Sequence, residues 1–221
     1  MKYVFLALLT VVSIVHLIHS WQDDTKKRKY TKAFPLLFII AYYFCSADDI
    51  SWVLVAALIT SWLGDVLLIP HGNGWFTAGG ISFMATHILF ILVYAVNVDF
   101  SAVLWPLVIP AALVYYGISA AIMRSLKPTT PKMMVFPMFF YLICNSTMNV
   151  FSLMQLTSVR SAATVIAYTG AVLFFISDCT LFLVRYHKNE NLIFKRHFTV
   201  MLTYILGEFL ITQGMIMLSR A

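Results

Sequence analysis

Charge is scarce in this chain. Only 11% of its 221 residues are Asp, Glu, Lys or Arg, while 61% are hydrophobic. Soluble domains carry about 25% charged residues, so the shortage excludes the ordinary water-soluble classes. Cysteine is also scarce. Cys45, Cys144 and Cys179 stand singly in apolar runs, without the spacing of a disulfide framework or a zinc site, and read as small buried hydrophobes. The sequence lacks G-x-S-x-G, a P-loop, H-E-x-x-H and a dinucleotide fingerprint. That leaves serine-hydrolase, nucleotide-dependent and zincin chemistry without a signature, and no cofactor or metal is expected. Long linkers are missing too: the connections are short, as at Asp48-Asp49, 71–75 and 128–131. One domain over residues 1–221 follows.

The apolar runs are continuous rather than alternating, which excludes a membrane β-barrel and predicts an all-α polytopic membrane protein. Eight segments emerge, at about 3–20, 33–46, 50–69, 77–97, 102–124, 132–154, 161–185 and 196–219. The first resembles a signal peptide, with Lys2 as its basic flank, but it has no small-x-small cleavage site and is read as a retained helix. The second is short for a hydrocarbon core that normally takes about 20 residues, and Lys32 extends it by snorkelling. Pro106 and Pro110 start and bend the fifth. Trp21, Trp75 and Trp105 read as interfacial anchors.

Orientation follows from the 15 basic residues. Lys26, Lys27, Arg28, Lys29, Lys32, Arg124, Lys127, Lys132, Arg185, Lys188, Lys195 and Arg196 fall on one side of the segments. Only Lys2, Arg160 and Arg220 fall on the other. The rich side is cytoplasmic, so both termini face away from the cytoplasm. The same asymmetry accounts for the net charge of +6 without invoking nucleic acid. It also gives a face that attracts anionic headgroups by about 1 kcal/mol per residue.

Six of the nine acids, Asp23, Asp24, Asp48, Asp49, Asp99 and Glu190, read as solvated loop residues. The other three do not. Asp65 lies in Leu63-Gly-Asp-Val-Leu-Leu68 and Asp178 in Ile176-Ser-Asp-Cys-Thr-Leu181, each inside a long apolar run. An acid at the centre of a membrane helix costs roughly 2.5–3.5 kcal/mol and marks a functional candidate. The two motifs recur in segments three and seven, which run in the same direction, so segments 1–4 and 5–8 suggest a 4+4 parallel repeat. Both acids then lie in the inner-leaflet half.

Polar side chains recur at helical spacing elsewhere. Segment eight has His197, Tyr204, Glu208 and Thr212; segment six has Tyr141, Asn145, Asn149 and Ser152; segment seven aligns Thr164, Tyr168, Asp178 and Arg185; segment four has Gly80, Met84 and His87. Lipid does not solvate such groups, so these faces turn inward. The expected product is a pocket open to the cytoplasmic leaflet and lined by Asp65, Asp178, Glu208, His87, Tyr141, Asn145, Tyr204 and Lys32. Asn149, Ser152, Thr164 and Thr212 are interhelical hydrogen-bond glue on this reading. His16 and His19 are interfacial, and His71 and His187 are loop residues without a task.

These features fit more than one class. Paired intramembrane acids at a repeat interface also describe a proton-coupled or small-solute carrier. Scattered histidines, His87 and His197 among them, leave a metal-dependent membrane hydrolase open, though no His-x3-His element supports one.

Taken together, Thr31-Lys32, Leu63-Gly-Asp-Val-Leu-Leu68, Phe83-x3-His87, Tyr141-x6-Met148, Ile176-Ser-Asp178 and Tyr204-x3-Glu208-Phe-Leu-Ile211 resemble the YhhN family of lysoplasmalogenases. The likeness spans almost the whole chain in order. Ala33 follows Lys32 where that family usually has proline, and Glu208 stands where glutamine is expected. The resemblance implies eight spans in a bacterial inner or plasma membrane. It implies a lysophospholipid substrate, with membrane lipids as surroundings, and hydrolysis of the vinyl-ether bond to a fatty aldehyde and glycerophospho-ethanolamine or -choline. Such a reaction needs a proton on carbon, a stabilised oxocarbenium-like cation and a water, which two carboxyl groups in different protonation states supply. Asp65 and Asp178 are the catalytic candidates, supported by Lys32, His87, Tyr141, Asn145, Tyr204 and Glu208. The assignment of roles stays open. Arg185, two turns beyond Asp178, favours Asp178 as the base and Asp65 as the acid.

Overall fold

The computed structural model describes residues 1–220. Among them are nine α-helices and no strand: α1 (Lys2–Trp21), α2 (Thr25–Thr31), α3 (Phe34–Ser46), α4 (Trp52–Leu67), α5 (Asn73–Val96), α6 (Trp105–Leu126), α7 (Lys132–Val159), α8 (Ala162–Tyr186) and α9 (His197–Leu218). Six of these, α1 and α5 to α9, are long and apolar enough to cross a membrane. The eight expected segments correspond to α1 and α3–α9, but α4 has 16 residues and α3 only 13. At 1.5 Å per residue α3 spans ~20 Å, well short of a ~30 Å core.

Local chemistry sets the helix ends. Ser161 and Thr164 form a capping box at the start of α8: the Thr164 amide donates to Ser161 Oγ at 3.2 Å and the Ser161 amide to Thr164 Oγ1 at 3.1 Å. Proline opens both α3 and α6, where its missing N–H has no intrahelical partner to lose. Ahead of α5, Gly72 has φ of 129°, a conformation that favours glycine. The chain enters the helix directly afterwards, so 73–75, expected as loop, is the first turn of α5.

The basic stretch after α1, also expected as loop, contains α2. Its N-cap is Asp24, which accepts the Lys27 amide at 3.1 Å. Asp23 pairs with Arg28 at 3.1 Å. Asp23 is exposed, as expected, and Asp24 has the added task of capping α2, which packs against α1.

The most extensive packing is between α8 and α9, followed by α4 on α5. Gly170, Gly207 and Gly214 let the α8 and α9 backbones touch. Polarity runs inside out. His87, Asn145, Asn149, Ser152, Gln155, Glu208 and Thr212 have no exposed surface, while Val11, Ile14, Ile88, Leu113, Val114, Phe136 and Val165 face outward. Water would reverse that arrangement and lipid requires it. The chain is a membrane protein.

Candidate active site

Asp178, about two turns before the end of α8, is 4% exposed. Its Oδ2 accepts from Asn145 Nδ2 at 2.9 Å and lies 3.0 Å from His87 Nε2. Both partners are oriented by their surroundings. Asn149 Nδ2 donates to Asn145 Oδ1 at 3.2 Å and to the Asn145 carbonyl at 3.0 Å, which turns the Asn145 amine towards the acid. His87 Nδ1 meets only the Met148 sulfur, at 3.4 Å, a weak acceptor, so the stronger hydrogen bond of the ring is the one that Nε2 makes with Asp178. Tyr141 and Phe174 hold the imidazole, with ring centroids 5.1 and 4.9 Å away.

Asp65, in the last turn of α4, is 2% exposed and has a different set of partners. Lys32 Nζ lies 3.5 Å from Oδ1, and the Tyr204 hydroxyl donates to Oδ2 at 2.7 Å. Tyr204 is in turn 3.0 Å from Ser61 Oγ, and Ser61 contacts Glu208 Oε1. Phe174 links the two carboxyl clusters, with ring centroids 4.9 Å from His87 and 5.5 Å from Tyr204, and Phe83 packs against both Phe174 and Tyr204.

Both aspartates line one cavity of about 490 Å³. Its apolar wall includes Phe76, Phe83 and Leu181, and its mouth carries Arg28, Lys29, Lys32, Arg185 and Arg196. Arg28 and Arg196 are neutralised by Asp23 and Glu190. Arg185 lies with its guanidinium 3.8 Å above the Phe76 ring and donates to Asn73 Oδ1 at 3.2 Å. Neither Arg185 nor Lys29 has a carboxylate partner among the described residues. An apolar groove of about 370 Å³, between α5, α7 and α8, adjoins the cavity through Phe76, which lines both.

The expected pocket is brought together, with a different division of labour. Lys32, Asp65, Asp178 and Tyr204 reach the cavity wall. His87, Tyr141, Asn145 and Glu208 do not; they stand behind it, the first and third bonded to Asp178 and Glu208 linked through Ser61. Arg185 is turned to Phe76 rather than Asp178, so the hold on Asp178 comes from His87 and Asn145. Tyr168 is turned away to Tyr115, 2.8 Å between hydroxyls. His16, expected at an interface, is fully buried with Nδ1 2.7 Å from Thr31 Oγ1, and it lines the cavity with His71 and His197.

Ser61 escaped the sequence reading. It precedes Asp65 by four residues and so shares its face, which was the available signal. Among the described residues, no three or more His, Cys, Asp or Glu side chains gather as a metal site.

A family model, described as the YhhN family, matches residues 27–215, a range that holds Asp65, Asp178 and all of the partners described for them. Comparison with curated proteins and with solved structures gave no match.

Proposed function

The chain belongs to the YhhN family, and on that premise we propose that it is a membrane hydrolase that cleaves the vinyl-ether bond of lysoplasmalogens. The observation that carries the reading is the presence of two buried carboxyl groups on one cavity wall with unlike partners: His87 and Asn145 for Asp178, Lys32 and Tyr204 for Asp65. Unlike environments are how one site keeps one carboxyl as acid and another as base.

In this mechanism Asp65 delivers a proton to the β-carbon of the enol ether, and the electron pair of the double bond forms the new C–H bond. The positive charge that develops on the oxygen-bearing carbon is stabilised by ionised Asp178 and by the faces of the aromatic residues at the cavity floor. Water then adds to that carbon, losing a proton to the Asp178–His87 pair. The resulting hemiacetal collapses to a fatty aldehyde and the glycerol hydroxyl. One proton is taken up and one released, and no covalent intermediate with the protein forms.

The cavity suits a single-chain lipid. The apolar groove beside Phe76 takes the hydrocarbon chain from within the leaflet, while Arg185 and Lys29 receive the phosphate at the mouth. Replacing Arg185 with Ala is expected to raise KM for lysolipid about tenfold, the worth of one charge-assisted hydrogen bond, with kcat little changed. Measuring both constants tests this.

We further propose eight spans in one domain, with both termini away from the cytoplasm and the cavity facing the cytoplasmic leaflet. Neighbour relations support a 4+4 repeat: α1 packs on α3 as α6 does on α7, α4 on α5 as α8 on α9, and α3 on α9 as α7 on α5. Under that correspondence each aspartate has one partner on a corresponding helix, Tyr204 on α9 for Asp65 and His87 on α5 for Asp178, while the other partners differ in place: Lys32 precedes α3 and Asn145 lies within α7.

Purified protein in detergent is expected to release aldehyde from a vinyl-ether lysolipid and not from saturated-ether or acyl lysolipids. Absence of aldehyde, with uptake of a solute in vesicles, would favour a carrier instead.

A further inference from the structure

Three oxygen–oxygen contacts in a row connect Glu208 to Asp65. Glu208 Oε1 meets Ser61 Oγ, Ser61 Oγ meets the Tyr204 oxygen at 3.0 Å, and the Tyr204 oxygen meets Asp65 Oδ2 at 2.7 Å. Each contact needs one hydrogen. Ser61 and Tyr204 bring one each, leaving the row one short if both carboxyl groups are ionised. Two oxygens would then face each other, out of water, with no proton between them. The third hydrogen must sit on one of the two acids.

The surroundings decide which. Asp65 has the Lys32 ammonium at 3.5 Å to offset a negative charge. Glu208 is completely buried, has no cationic partner among the described residues, and its Oε2 has no hydrogen-bond partner. An unpaired buried carboxylate is far costlier than a neutral acid. The groups near Glu208 supply no cation: Ser61 and Asp65 come from α4, Tyr94 from α5, Tyr141 from α7 and Asp178 from α8, while Thr212 on its own helix donates to the Glu208 carbonyl at 2.8 Å.

We propose that Glu208 stores the proton that Asp65 uses, and passes it along Ser61 and Tyr204. At rest Glu208 O–H donates to Ser61, Ser61 O–H to Tyr204, and Tyr204 O–H to ionised Asp65. Moving each hydrogen one place breaks three O–H bonds and forms three, and transfers one net proton from Glu208 to Asp65. Nothing is oxidised or reduced. Glu208 acts through its neighbours and is a positioning and proton-storing residue, whereas Asp65 is the group that meets substrate. The use of the proton in turnover rests on the hydrolase reading above; its location and its link to Asp65 do not.

Infrared spectroscopy of the purified protein at neutral pH tests this without substrate. The expected result is a protonated-carboxyl carbonyl band that shifts in D2O and disappears in Glu208→Gln, whose amide still donates to Ser61 and keeps the row filled. Asp65→Asn should move that band, and Ser61→Ala should abolish the effect of Asp65→Asn by cutting the row. A missing band, a band that survives Glu208→Gln, or one indifferent to Asp65→Asn would overturn the proposal. In an active preparation, Glu208→Gln should lower kcat towards the ~10²-fold that a general acid contributes while leaving KM unchanged, and wild-type turnover would overturn the relay. Failure of vinyl-ether hydrolysis itself would remove the reaction and leave the spectroscopic result to decide where the proton sits.

Discussion

Aldehyde release is expected to fall by about 10²–10⁴-fold in Asp178→Asn and in Asp65→Asn, with different effects on folding. At Asp178 the substitution is nearly isosteric. Asn145 Nδ2 and His87 Nε2 both point at Oδ2, and the new amide oxygen can accept from them, so stability should be close to wild type. At Asp65 the amide oxygen can still accept from Tyr204, but the Lys32 ammonium, with its side chain 17% exposed, loses its counter-charge. Breaking a fully buried pair costs roughly 3–5 kcal/mol; the solvent left to Lys32 makes the loss here smaller. Adding Lys32→Met to Asp65→Asn should restore thermal stability in detergent and leave turnover abolished. Near-wild-type turnover in both single variants would end the two-carboxyl mechanism, whatever the effect on unfolding.

The acids were legible because a carboxyl inside an apolar run is a local signal, readable without knowing the fold. So was the stripe of Asn145 and Asn149, whose spacing puts both on one buried face and whose mutual hydrogen bond the structure contains. What could not be read was pairing across the chain. His87 and Asp178 are 91 positions apart, and their contact depends on how α5 and α8 cross. Ser61 is silent in the sequence for a different reason: hydroxyls are common in apolar helices, and one alone says little apart from its bridge between Tyr204 and Glu208.

Helix α2 was hidden by its charge. A run of four basic residues from Lys26 to Arg28 and Lys29 reads as loop until Asp24 is recognised as an N-cap. Helix α7 outruns its expected end at 154 for the same kind of reason. Gln155, Thr157 and Ser158 look like an exit into water, yet Gln155 is fully buried and the helix continues to Val159. In lipid, polarity at a helix end is a poor stop signal when a neighbouring helix covers it.

The largest structural effect should come from Gly170. A β-carbon there would lie 2.6 Å from the Ile211 amide nitrogen and 2.7 Å from the Gly207 carbonyl oxygen, both backbone atoms that no rotamer change can move aside. Close approach of this kind is what small residues provide where lipid gives helices no hydrophobic drive to associate. Gly170→Ala must therefore part α8 from α9. Overpacking costs typically 1–3 kcal/mol, and Gly170→Leu should exceed that. The displacement reaches the site, because Asp178 lies two turns further along α8 and Tyr204 and Glu208 flank Gly207 on α9. Both substitutions are expected to lower the thermal midpoint in detergent, and Gly170→Ala to lower kcat although it touches neither carboxyl group. By contrast Gly117, where an added β-carbon meets nothing within 4 Å, should accept alanine with stability and turnover unchanged. Equal behaviour of Gly170→Ala and Gly117→Ala would contradict the close packing of α8 on α9 and, with it, the geometry that brings Tyr204 to Asp65.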